Sequence, residues 1–123
     1  MTFCASIHCM DGRIHEPIIS YIKDNHNVKF IDFIVEAGIN GILADLSDEI
    51  MINSIVKRVQ LSIDVHNVTK VFVSGHYDCL ANPVGKDTHI AQVNKAISFL
   101  RNIYPQIEFI GLWIDENWQA DIC

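Results

Sequence analysis

The sequence predicts a single α/β domain over residues 1–123, built on a mostly parallel four-stranded sheet with helices on both faces. Three observations predict this class. Short apolar runs rich in β-branched residues alternate with longer segments whose apolar residues recur at helical spacing. The predicted elements follow the order β-α-β-α-β-α-β, and such strand–helix–strand units make right-handed crossovers that leave neighbouring strands parallel. A chain of 123 residues is long enough for one such core and too short for two.

The amino-terminal third of the chain is predicted to contain two strands with a helix between them. The first strand covers roughly residues 2–9, where the run is almost wholly apolar. Pro17 suits the first turn of the helix that follows, because proline lacks the N–H group that this turn leaves unpaired. The second strand covers 30–35, with Asp32 as an interior polar exception. Two glycines within 37–41 predict a loop after it.

The remainder of the chain is predicted to alternate helix and strand twice more. Ser47 can cap a helix whose first turn is acidic, which the helix dipole favours. A third strand follows over 70–74. The next helix is capped within 87–88 and is stopped by Pro105. A fourth strand over 107–114 completes the predicted sheet.

Chemically active side chains gather at the ends of the first and third predicted strands. If the backbone stays extended, Cys9, Asp11 and Arg13 point to one side, because strand side chains alternate with period 2. His76 and Cys79 follow the third strand, and sites in such sheets form beyond the carboxyl ends of the strands. Two thiolates and one imidazole form a three-ligand zinc set with a fourth position open, as catalytic zinc sites require.

Several simpler interpretations of these residues stay open. Taken singly, Cys9, His76 and Cys79 are better explained as two buried thiols and a hydrogen-bonded histidine; only their combination favours zinc. Asp11 could close a structural zinc site as its fourth ligand, or form with Arg13 an ion pair that braces a loop. In a metal-free sample, Cys9 and Cys79 could also form a disulfide.

The two motifs resemble those of the β-class carbonic anhydrases in their short microbial form. Cys-x-Asp-x-Arg at 9–13 and His-x-x-Cys at 76–79 each follow a strand, in the family's order. The segment 36–38 falls where the family carries an alanine-glycine turn, and the resemblance extends from about residue 3 to about residue 115. It implies the fold of that family, a homodimer with metal sites near the interface, and Zn²⁺ held by Cys9, His76 and Cys79.

The resemblance also implies the reversible hydration of carbon dioxide to bicarbonate by zinc-bound hydroxide. In that mechanism Asp11 orients the hydroxide and Arg13 positions Asp11. The sequence departs from the family pattern around the substrate: no glutamine lies between Arg13 and Glu36, and Leu80 stands where glycine is usual. A related hydrolase of carbonyl sulfide or carbon disulfide, or a non-catalytic zinc protein of the same fold, therefore remains open.

Composition excludes other classes of function. The chain carries 9 Lys+Arg against 15 Asp+Glu, a net charge of −6, whereas binding to nucleic acid needs clustered cations. No apolar run approaches the roughly 20 residues of a membrane-spanning helix, and no secretory signal is recognisable. We therefore expect a cytoplasmic protein with a small-molecule substrate, four reduced cysteines and no nucleic-acid or membrane partner.

The remaining histidines, an aspartate and the tryptophans receive weaker predictions. His8 is expected on the face opposite Cys9, as a core or second-layer residue. Asp78 is interpreted either as an acceptor that orients His76 or as an exposed turn carboxylate. Four histidines without a motif are expected at the surface, and both tryptophans in the core or at an interface: His15, His26, His66, His89, Trp113 and Trp118.

Overall fold

Five strands and four helices lie along residues 2–123, the part of the chain that the computed structural model describes. The strands are β1 (Phe3–His8), β2 (Phe30–Val35), β3 (Lys70–His76), β4 (Glu108–Ile114) and β5 (Ala120–Ile122). The helices are α1 (His15–Asn25), α2 (Ile39–Asp45), α3 (Glu49–His66) and α4 (Lys86–Ile103). The predicted α/β class is confirmed.

The strands form one sheet in the order β2-β1-β3-β4-β5. β1 pairs in parallel with β2 and β3, and β3 pairs in parallel with β4. The prediction of four strands was one short, because β5 adds an antiparallel edge through pairs such as Leu112 with Ile122. This strand has only three residues, too few to produce a readable alternation of polar and apolar positions.

The segment 37–41, predicted to be a loop, contains the start of a helix instead. Gly38 adopts a left-handed conformation with φ of 62°, and α2 begins at the next residue. Helix α2 has seven residues and buries Ile39, Asn40 and Leu43. Two turns are too short to show helical periodicity in the sequence, and the glycine at position 41 suggested a turn.

Other element boundaries shift by one or two residues from those predicted. Asp48, not Ser47, caps α3 by accepting a hydrogen bond of 3.1 Å from the N–H of Met51. Helix α4 starts at Lys86, with Gly85 at the cap position and no side-chain cap. Strand β3 continues to His76, so the histidine belongs to the strand itself.

Each face of the sheet carries its own apolar core. Helices α2, α3 and α4 pack on one face, where Ala5 and Ile7 of β1 point. Helix α1 packs on the other face, against Cys4 and Phe72. Alternating residues of β1 thus serve opposite cores, as the period of a strand requires, and the prediction of helices on both faces is confirmed. Within residues 2–123, no helix has both the length and the apolar character to cross a bilayer.

A chain of polar side chains lies within the core on the α1 side. His8 is fully buried, as expected. Its Nδ1 lies 2.8 Å from the hydroxyl of Ser6, and its Nε2 lies 3.1 Å from Nδ1 of His15. Burial lowers the pKa of His8 to about 3, and the nearby His15 and His76 act in the same direction. His8 is therefore neutral in the folded protein at every pH near neutrality.

We expect the neutral state of His8 to make the protein less stable in mild acid. Unfolding releases His8 to its ordinary pKa of 6.5, so between these two pKa values the unfolded chain binds one more proton than the folded chain. The free energy of unfolding should then fall by about 1.4 kcal/mol per pH unit below pH 6 through this one residue. His8→Gln, which can still bond Ser6, should reduce the slope by that amount in urea unfolding from pH 7 to pH 4. If the free energy of unfolding fell with the same slope in both proteins, His8 would not be the cause of the lower stability in acid.

Candidate metal centre

Two neighbouring parallel strands bring the three predicted metal ligands together. Cys9 follows directly after β1, His76 ends β3, and Cys79 lies one turn further on. β1 and β3 are adjacent in the sheet, with Ile7 opposite Val73, so their carboxyl ends reach the same edge. The candidate ligand atoms of the three residues all lie within 4.8 Å of one another, and all three residues are buried. The two sulfur atoms are 3.9 Å apart.

The ring of His76 is oriented so that one nitrogen is free. Its Nδ1 lies 2.7 Å from the carbonyl oxygen of Tyr77, a contact in which the ring N–H donates. When the ring is neutral, Nε2 carries the lone pair, and this buried atom has no hydrogen-bond partner within residues 2–123. An unpaired buried nitrogen is costly. A ring nitrogen held to a backbone carbonyl while the other stays free is also the usual arrangement of a metal-binding histidine.

The two thiols have different electrostatic environments. Burial raises the pKa of Cys9, but the neighbouring His76 and the backbone N–H groups of Gly38 and Asp11 outweigh it and lower the pKa to about 7. The Gly38 nitrogen lies 3.4 Å from the Cys9 sulfur. Burial and the charge of Cys9 raise the pKa of Cys79 to about 11. Cys9 is therefore the first thiol of the pair to ionise, and Cys79 keeps its proton at neutral pH.

The donor set and its spacing fit a tetrahedral metal ion. With metal–sulfur distances of about 2.3 Å, tetrahedral zinc separates two sulfur ligands by about 3.8 Å, close to the observed 3.9 Å. Two sulfurs and one imidazole nitrogen are soft and borderline ligands, which suit zinc better than calcium or magnesium. Cys9, His76 and Cys79 can therefore hold a metal ion.

Asp11 and Arg13 form a two-pronged ion pair beside this cluster. Nε and the backbone N–H of Arg13 both donate to Oδ1 of Asp11 at 3.0 Å, and Nη2 donates to Oδ2 at 2.7 Å. The side-chain hydrogen bonds from Arg13 lower the pKa of Asp11 to about 2, although burial acts in the opposite direction. Oδ1 uses both of its acceptor sites, while Oδ2 retains one. Asp11 thus stays ionised and can accept one further hydrogen bond.

Arg13 also contacts the second motif and the carboxyl-terminal hairpin. Its Nη1 donates to Oδ2 of Asp78 at 3.1 Å, and its Nη2 donates to the carbonyl oxygen of Asp78 at 3.0 Å. Its Cζ lies 4.6 Å from the centre of the Trp118 ring. Of the two interpretations of Asp78, the exposed turn carboxylate is the one observed, because the carbonyl of Tyr77 orients His76. The carboxylate of Asp78 instead binds Arg13.

Sequence reasoning missed the buried polar layer behind the metal ligands. His89 was predicted at the surface, but it is buried against Gly75, where an added Cβ would lie 3.1 Å from its Nδ1. Asn40 donates to this nitrogen at 3.0 Å and also bonds Gln92. The spacing of His89 four residues before the buried Val93 could have revealed its inward position. His15, His26 and His66 are half-buried.

A comparison of sequences supports the resemblance seen in the motifs. A family model described as "Putative carbonic anhydrase" matches the chain over residues 1–123. A search among curated proteins found no match. The family model covers both motifs, the full sheet and every residue of the candidate metal centre, and the chain belongs to this carbonic anhydrase family.

Proposed function

We propose that the protein is a zinc-dependent carbonic anhydrase that converts carbon dioxide and water reversibly into bicarbonate and a proton. The observation that carries this proposal is the convergence of two thiols with a buried imidazole nitrogen that has no hydrogen-bond partner in the described part of the chain. Three protein ligands with one free position are typical of catalytic zinc, and the family match agrees with this chemistry.

The ligands and their supports form the first part of the mechanism. Zinc bound at these three residues would lower the pKa of a water molecule to about 7 and so supply hydroxide at neutral pH. The carbonyl of Tyr77 holds the ring of His76 so that Nε2 faces the ion as a lone pair. The N–H of Gly38 stabilises the Cys9 thiolate. These contacts fix the donor atoms before the metal arrives.

In this proposal the carboxylate of Asp11 orients the oxygen that attacks carbon dioxide. It is ionised at neutral pH, and its Oδ2 has one acceptor site left after Arg13 has bound. In our proposal this site accepts the hydrogen of the attacking oxygen and so turns a lone pair of that oxygen toward the carbon of carbon dioxide. Arg13 keeps the carboxylate in place, because its planar fork matches the two carboxylate oxygens.

We further propose that the chain forms a homodimer through β2. This strand is at the edge of the sheet and, among residues 2–123, pairs only with β1. It carries exposed Phe30 and Phe33 and a single charge, although exposed edge strands are usually protected by charges or proline. A second copy can pair with the same strand about a two-fold axis, which closes the assembly.

The metal assignment predicts about one zinc per chain in protein purified from zinc-replete cells. Cys9→Ser and Cys79→Ser should each lose most of the metal, because a hydroxyl is a poor zinc ligand. Cys4→Ala is the matched control: it removes a buried thiol outside the cluster and should retain zinc. Atomic absorption on the four proteins gives the answer, and metal-free wild-type protein would refute the assignment.

The proposed role of the ion pair predicts variants that keep zinc and lose activity. Arg13→Ala and Asp11→Ala should each reduce carbon dioxide hydration by about 10²-fold, the usual effect of removing one preorganised polar group. Arg13→Lys should recover part of the rate, since an ammonium group lacks the fork. Stopped-flow hydration rates and zinc content should be measured on the same samples.

A second arginine provides the control for this experiment. Arg58 forms an ion pair of 2.6 Å with Glu36 and also bonds Ser54, and neither partner is a candidate metal ligand. Arg58→Ala should therefore leave the hydration rate unchanged. A zinc-loaded Arg13→Ala protein with the wild-type rate would rule out the role of the pair in catalysis.

The dimer predicts a mass of twice 13.9 kDa by light scattering on a size-exclusion column. Phe30 is 53% exposed, and Phe30→Lys should give the monomer, because it puts a charge into the proposed interface. Ile50→Lys changes a residue of α3 that is 87% exposed and should leave the dimer intact. A wild-type monomer at all concentrations, or a monomer caused by both variants, would argue against pairing through β2.

A further inference from the structure

We propose that Trp118 is a positioning residue for the Asp11–Arg13 pair. Its indole covers the guanidinium of Arg13 and so keeps the fork of Arg13 turned toward Asp11. This inference rests on the proposed function, because it assigns to the carboxyl-terminal hairpin a part in the geometry of that same site. Nothing in the motifs predicts this role, since Trp118 lies 39 positions after Cys79.

The contacts of Arg13 divide into two kinds. The hydrogen bonds to Asp11 and Asp78 use the N–H groups around the edge of the guanidinium plane. They fix where the group lies within that plane. The indole of Trp118, with its ring centre 4.6 Å from Cζ, contacts the face of the group. This cation–π contact is the one that limits tilting of the plane.

The ion pairs of Arg13 need such support because water reaches them. The side chains of Arg13 and Asp78 are 43% and 50% exposed, and exposed ion pairs contribute little by themselves. Without the indole, water can solvate the open face and Arg13 can leave Asp11. An unpaired carboxylate next to the cluster would then compete for the free position of the metal, since carboxylate oxygen is itself a zinc ligand.

Trp118 is held firmly enough to act as a support. Its backbone N–H donates to the backbone carbonyl of Asp115 at 3.0 Å. The carboxylate of Asp115 accepts from the N–H groups of Asn117 and Gln119, which closes the turn between β4 and β5. Trp118 has a left-handed φ of 57°, rare for a bulky residue. Its ring also packs edge-on against Tyr77, at 6.3 Å between centres.

The test measures access to the metal and needs no catalytic turnover. Cobalt(II) replaces zinc, and thiocyanate is titrated while the visible absorption bands of cobalt are recorded. Trp118→Ala should weaken thiocyanate binding by about two- to fivefold, the loss expected for an exposed cation–π contact, because Asp11 then competes for the position. Trp118→Leu, which keeps an apolar side chain without an aromatic face, should behave like Trp118→Ala. Trp118→Phe should recover most of the affinity.

A double variant separates positioning from a general effect on the fold. In an Asp11→Ala background, Trp118→Ala should have no effect on thiocyanate affinity, because the competing carboxylate is gone. Ile122→Ala alters an exposed residue of the same hairpin and should match wild type. In hydration assays of the zinc protein, Trp118→Ala should lower kcat and leave KM almost unchanged.

The possible failures are distinct. If Trp118→Leu matches wild type, or if the effect of Trp118→Ala persists without Asp11, the indole face does not position the pair and the inference is wrong. If the wild-type zinc protein does not hydrate carbon dioxide but the thiocyanate affinities keep the expected order, the proposed function fails and the role of Trp118 stands.

Discussion

The parallel pairing of β1 with β3 is the constraint on which the candidate metal centre depends. These two strands lie in the middle of the sheet, and their shared register sets Cys9 and His76 at one edge. A slip of one residue would turn the side chains of a strand to the opposite face and separate the donors. The two apolar cores oppose such a slip, because Ile7 and Val73 would leave one core and polar neighbours would enter it. Packing in the two cores therefore maintains the strand register that places Cys9 and His76 at one edge of the sheet.

The backbone approaches the cluster closely where side chains are smallest. At Gly75 the absent side chain gives His89 room to pack directly behind His76. At Gly38 a left-handed turn directs an N–H group to the Cys9 sulfur, and an added Cβ would lie 3.1 Å from the carbonyl oxygen of Ala81. The electrostatic asymmetry of the two thiols therefore originates partly in the turn before α2, the element that was predicted to be a loop.

The features predicted correctly from the sequence are those that produce a recognisable pattern among neighbouring residues. Strand periodicity and apolar runs predicted the sheet. The cluster of Cys9, His76 and Cys79 was recognisable because Cys9 follows β1 and His76 ends β3. Helix α2 and strand β5 were missed because segments of seven and three residues are too short to show a periodic pattern of apolar residues. The contacts of Trp118 with Arg13 and of His89 with Gly75 join distant parts of the chain. They follow from tertiary packing, which a single sequence does not display.

The charges around the cluster would favour a bound cation. Two carboxylates, Asp11 and Asp78, share the single positive charge of Arg13, and ionisation of Cys9 adds another negative charge. Removing the proton of Cys79 as well is unfavourable in the free protein, where its pKa is raised to about 11. A divalent cation reverses this balance, since a coordinated thiol loses its proton outright. Metal binding should therefore release the Cys79 proton, and metal affinity should rise with pH. The same negative charges would stabilise a bound cation.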